Sequence, residues 1–140
     1  MMGYEFLEHT ADVKFKAEED SLAGLFVSAF EALMETVDGK VVIVEQEEKE
    51  INVKGKDLEG LLYSFLEEFL FLLDSEGFLS EKIKLIEVDK ENFSLKAVVA
   101  GDKADKYTFT NDVKAITYND MFVRFDADKK KWICQVVLDV

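Results

Sequence analysis

Proline is absent from this chain, and cysteine, histidine, arginine and tryptophan occur once each, at Cys134, His9, Arg124 and Trp132. One cysteine excludes an intrachain disulfide framework and any paired-cysteine zinc site, and it fits a reducing compartment. One arginine, within 17 basic residues set against 30 acidic ones, leaves no basic stripe to neutralise a phosphate backbone. Direct nucleic-acid binding is therefore not expected. Long apolar runs are also missing. The longest candidate, Leu61 to Leu73, is interrupted by Tyr63, Ser64, Glu67 and Glu68, well short of the roughly 18 apolar residues a membrane span needs. The opening Met1-Met2-Gly3-Tyr4-Glu5 lacks the basic region and apolar stretch of a secretory signal. A cytoplasmic location without membrane attachment is the expectation.

What is present points to one folded unit. The 140 residues are 49% hydrophobic, too apolar for a disordered chain, and suffice for a single domain, 1–140. The net charge of −13 suits docking to a basic protein partner or binding of cations. Solubility alone would explain it equally well.

Two helices are legible from their periodicity. Leu22, Leu25, Phe26, Ala29, Phe30, Leu33, Met34 and Val37 trace one apolar stripe, with Asp20 or Ser21 to cap its start and Gly39 to close it. A second stripe, from Leu58 through Leu61, Leu62, Phe65, Leu66, Phe69 and Leu70 to Leu73, follows a capping Asp57 and ends before Gly77. Phe71 and Leu72 widen it, predicting burial on more than one side. The remainder reads as strands: the segment from Val13, Val41–Val44, Ile51–Val53, Ile83–Val88, Phe93–Val99, Tyr107–Phe109 into Val113–Thr117, Phe122–Phe125 and Trp132–Leu138. Short polar links between the later strands require antiparallel hairpins. The fold class predicted is α+β, with two helices packed on antiparallel β-sheet.

Three segments can carry chemistry. His9-Thr10-Ala11-Asp12 places the only histidine beside an acid where two extended segments meet, and a turn stabilised by Asp12 or Thr10 explains it as well. At the C-terminus, Asp139 follows an apolar row and adjoins the α-carboxylate of Val140. Two carboxylates within one residue suit a hard cation, although an ordinary solvated terminus is the simpler reading. Lys114, Thr117 and Tyr118, within the stretch Val113 to Asp120, could line a groove or form a plain strand and turn. No glycine-rich phosphate loop or nucleophile elbow occurs, and Asp126-Ala127-Asp128 lacks the glycine and distal glutamate of a calcium-binding helix–loop–helix. Cys134, in an alternating apolar strand, reads as a buried thiol.

His9-Thr10-Ala11-Asp12, Lys114-Ala115-Ile116-Thr117-Tyr118 and Leu138-Asp139-Val140, in that order, together resemble the archease family. The resemblance extends to Tyr4-Glu5 and to Asp57-Leu58-Glu59-Gly60-Leu61-Leu62, so it spans the chain. It implies an archease-like fold and a non-catalytic role as cofactor protein of an RtcB-type tRNA-splicing RNA ligase. Such a protein promotes GTP-dependent guanylylation of the ligase and its repeated turnover. It also implies a divalent cation, Ca²⁺ with Mg²⁺ or Mn²⁺ as alternatives, held by Asp12, Asp139 and Val140 through its carbonyl or terminal carboxylate. His9 would then support the loop. Asn119 stands where many relatives carry histidine, so no role for a histidine is transferred there. A general chaperone or modulator of RNA-modifying proteins is the alternative. A small metal-dependent hydrolase is disfavoured, because no general base or nucleophile accompanies the acids.

Overall fold

The computed structural model describes residues 2–8 and 12–140. His9, Thr10 and Ala11 lie outside the described residues. The element order is β1 (Gly3–Leu7), β2 (Val13–Glu19), α1 (Leu22–Asp38), β3 (Glu47–Lys54), α2 (Leu58–Glu76), β4 (Phe78–Asp89), β5 (Ser94–Lys103), a 3₁₀ turn (Ala104–Lys106), β6 (Ala115–Asp126) and β7 (Lys131–Asp139).

Both helices begin and end where local chemistry dictates. Ser21, not Asp20, caps α1 by accepting the Gly24 N–H at 3.0 Å, while Asp20 pairs with Lys131. Asp57 caps α2 by accepting the Gly60 N–H at 2.7 Å. Each helix closes on a left-handed glycine, Gly39 at φ 69° and Gly77 at φ 61°, a conformation that costs glycine least. The apolar stripes meet face to face. Phe26 lies against Phe65 and Phe30 against Phe69, with ring centroids 5.7 and 4.5 Å apart. Leu72 is buried as expected, but Phe71 is 51% exposed, so α2 shows one aromatic side to solvent.

The strands form two antiparallel sheets, β1-β2-β7-β6 and β3-β5-β4, and α1 and α2 each contact both. The fold is α+β as predicted. The four-stranded sheet sends Phe15, Ala17, Cys134, Val136 and Leu138 into the core shared with the helices.

Several strand boundaries differ from the sequence expectation. Val41–Val44 is not a strand. Ile43 is buried between exposed Val42 and Val44, and the Val44 N–H donates to the Tyr107 hydroxyl at 3.0 Å in place of a ladder partner. The strand begins instead at Glu47, because Glu48 and Glu50 alternate outward from an edge strand where charge is easily solvated. β4 starts at Phe78, directly after the glycine that ends α2, rather than at Ile83. Tyr107–Phe109 and Val113 lie in an irregular link, and Ala115–Phe125 belongs to one strand interrupted by a wide bulge. Gly101 permits close approach of β4 and β5, since a Cβ there would stand 2.1 Å from the Leu79 carbonyl oxygen.

Candidate functional site

Sheet register decides where the two acidic segments end up. β2 and β7 are neighbours, and their ladder runs from Glu19↔Trp132 to Val13↔Leu138. The residues one step beyond that last pair are Asp12 and Asp139. Both are half-buried. The C-terminus is not frayed: β7 continues to Asp139, which pairs with Ala115 of β6 and accepts the Lys114 N–H on its carbonyl at 2.7 Å. Val140 is half-buried and packs against the core.

The register thus puts the Asp12 and Asp139 positions at the same end of the ladder, with Val140 next along the chain. Carboxylate oxygens match the preference of a hard divalent cation. Among the described residues no group of three or more His, Cys, Asp or Glu side chains is arranged to hold a metal ion. A cation here would therefore depend on main-chain or terminal oxygen, or on the segment His9-Thr10-Ala11 outside the described residues.

The stretch Val113 to Asp120 is neither a plain strand nor a simple turn. Thr117 faces Val137 and Phe122 faces Gln135, so residues 118–121 loop out opposite Val136 alone. Asp120, at φ 55°, sits in this bulge. Its carbonyl accepts from the Gln135 amide at 2.9 Å, and its carboxylate lies 3.7 Å from the Lys14 ammonium. The Thr117 hydroxyl donates to the Val137 carbonyl and accepts the Asn119 N–H, at 3.1 and 3.2 Å.

α2 braces the bulge with residues that no motif in the sequence assigns to a site. Glu59 accepts the Val123 N–H at 3.0 Å. The Tyr63 ring stacks on Tyr118 with centroids 4.3 Å apart and planes 6° from parallel. Burial first, and then the neighbouring acids, raise both phenols above their usual range: Glu67 acts on Tyr63, and Asp57 and Glu67 on Tyr118. Both rings stay neutral at physiological pH. The Asp57-Leu58-Glu59 run that opens α2 is visible in sequence, but nothing local signals that Glu59 reaches another strand. Cys134 is fully buried, and desolvation pushes its thiol up to about 12, so it is a packing group without nucleophilic character.

Residues 4–140 match the model of the Archease protein family (MTH1598/TM1083). The chain belongs to the archease family. It is 37% identical to the archease of Pyrococcus abyssi over the full length of both chains. It is 32% identical to the archease-like protein of Dictyostelium discoideum, covering 100% of this chain and 95% of that one. The solution structure of Methanobacterium thermoautotrophicum protein 1598 superposes with a TM-score of 0.83 at 29% identity, covering 100% of both chains. The archease fold is thus shown by sequence and architecture together. Among the described residues of this archease, no helix is long and apolar enough to cross a membrane.

Proposed function

We propose that this archease is a non-catalytic activator of an RtcB-type RNA ligase, promoting its GTP-dependent guanylylation and multiple turnover in tRNA splicing. The observation that supports the reading is the match to the archease family over residues 4–140, with Asp12 and Asp139 each one residue beyond the last pair, Val13 and Leu138, of the β2–β7 ladder. Asp12, Asp139 and Val140, through its carbonyl or a terminal carboxylate, would hold a divalent cation, Ca²⁺ or alternatively Mg²⁺ or Mn²⁺. Bound there, the ion would offset the mutual repulsion of these carboxylates and present a local positive charge. The protein's own contribution is positioning. The Lys114–Asp139 main-chain bond and the packing of Val140 hold the strand end still. A net charge of −13 supports encounter with a basic RNA-binding enzyme and argues against contact with the RNA itself.

The test is multiple-turnover ligation by a cognate ligase with GTP and Mn²⁺, with and without substoichiometric protein, alongside Asp12→Ala and Asp139→Ala. Stimulation that both substitutions remove, with calcium binding lost in parallel by calorimetry, supports the reading. Full stimulation by both variants would sink the metal-dependent part. No stimulation by the unsubstituted protein, together with suppressed aggregation of unrelated clients, would favour a general chaperone.

A further inference from the structure

Acids line two further hollows of the surface. A cavity of about 340 Å³ between α1 and the start of β4 carries Glu31, Asp38 and Glu81 beside Lys40. A β-bulge there leaves Glu81 as the extra residue between the Ser80–Gly101 and Lys82–Ala100 pairs. The other is a groove of about 310 Å³ between α2 and the start of β6, and it sets an exposed aromatic ring among its acids. We propose that this groove docks an arginine-bearing segment of the ligase. The proposal rests on the ligase-activator reading and adds to it the face that holds the partner.

The anchor is apolar. α2 buries Leu70 and Leu72 but leaves Phe71 51% exposed. Tyr63, Glu67 and Phe71 follow one another at four-residue steps and so form one row along the helix. Tyr118, 57% exposed in the β6 bulge, stacks on Tyr63 and carries the row across to the sheet. Aromatic rings on a helix and a braced strand offer contact area to a partner at little cost in side-chain freedom.

Charge selects the occupant. Glu67, Glu68 and Asp74 share the groove wall with Phe71, against a single lysine, Lys114. Among the described residues Glu76 is the only acid of α2 in an ion pair, with Lys49, so these three are not matched within the chain. Glu68 holds its proton more tightly than an ordinary glutamate, through burial first and then Glu76 and Glu67, and a partner's cation would relieve that repulsion. A guanidinium fits such a wall better than an ammonium. Its plane lies against an aromatic face while its N–H fork meets a carboxylate. The same acids repel a phosphate backbone. A second copy of this chain is a poor source, because its one arginine, Arg124, lies over its own Phe122 ring at 4.3 Å and a net charge of −13 opposes self-association. The groove also runs up to the candidate cation site. Ala115 in its wall pairs with Asp139, and the Lys114 N–H donates to the Asp139 carbonyl, so a partner seated here is brought to that strand end.

Calorimetry measures binding of the full chain to the cognate ligase, and multiple-turnover ligation is followed against protein concentration. Phe71→Ala and Asp74→Lys should each weaken binding by about tenfold and move half-maximal stimulation to higher concentration, with the maximum unchanged. Asp139→Ala should instead lower the maximum. Leu85→Ala, at a residue 58% exposed on β4, should change neither. An arginine-rich peptide should compete with the ligase at lower concentration than a lysine-rich peptide of equal charge. Asp74→Lys puts a cation in the last turn of α2, where the helix dipole favours it, so this variant decides the matter should Phe71→Ala lower the thermal midpoint. Binding by Asp74→Lys equal to that of the unsubstituted protein, with stimulation intact, would overturn the docking surface and leave the activator reading standing. Equal competition by the two peptides would overturn the assignment to arginine. No binding and no stimulation by the unsubstituted protein would overturn both readings.

Discussion

Two acidic regions of this archease are built in opposite ways. At one end of the β2–β7 ladder, Asp12 and Asp139 flank the last pair, Val13 and Leu138. In the cavity between α1 and β4, the acids come mostly from one helix, spread along its face with apolar side chains between them. Converging carboxylates concentrate charge on a point and suit a small hard ion. Dispersed ones spread the same charge over an extended surface.

The contrast can be broken most decisively at the converging site. Asp139→Ala should cut ligase stimulation by at least about tenfold while the thermal midpoint stays nearly unchanged, since the Lys114–Asp139 bond uses only main-chain atoms. Stimulation assays and thermal denaturation on one sample separate the two effects. Next in size, Gly101→Ala should destabilise the fold by about 1–3 kcal/mol, because the new methyl meets the Leu79 carbonyl and Phe78 ring. Denaturant unfolding measures the loss. It should fall on the dispersed site first, because Gly101 is the partner of Ser80.

A pH experiment sharpens the comparison further. In the folded protein Glu31, Asp38 and Glu81 hold their protons more tightly than in the unfolded chain. Their contribution to stability therefore falls as pH rises from the ordinary carboxylate range through the raised values, and the full penalty is present at neutral pH. Asp38→Asn should stabilise the protein at pH 7 by about a few tenths of a kcal/mol, a gain that vanishes below pH about 4. Stabilisation that persists unchanged in acid would contradict the charge explanation. The smallest expected effect lies outside both regions. The Tyr107 hydroxyl donates to Asp102 at 2.7 Å and accepts the Val44 N–H at 3.0 Å, so Tyr107→Phe should speed Val44 amide exchange by about tenfold, read by NMR.

Both helices are legible in the sequence because each depends on its own residues: the apolar stripe, the Asp57 cap and the closing glycines. The segments where sequence and structure part company lack that independence. Val41–Val44 has the composition of a strand, but the Val44 amide goes to a tyrosine far along the chain. The bulge at residues 118–121 exists because Glu59 and Tyr63, on another element, supply what the ladder does not.

By itself the sequence determined the α+β class, both helices with the Asp57 cap and the closing glycines, the buried thiol and the resemblance that the family match bears out. These follow from periodicity, local capping chemistry and motif order. Only the tertiary structure decided that Asp12 and Asp139 flank the same end of the β2–β7 ladder, that Glu81 is the extra residue of a bulge beside Ser80, and that Phe71 faces solvent. Each of these depends on which strands pair and in what register, and register arises from contacts between segments that no local stretch contains.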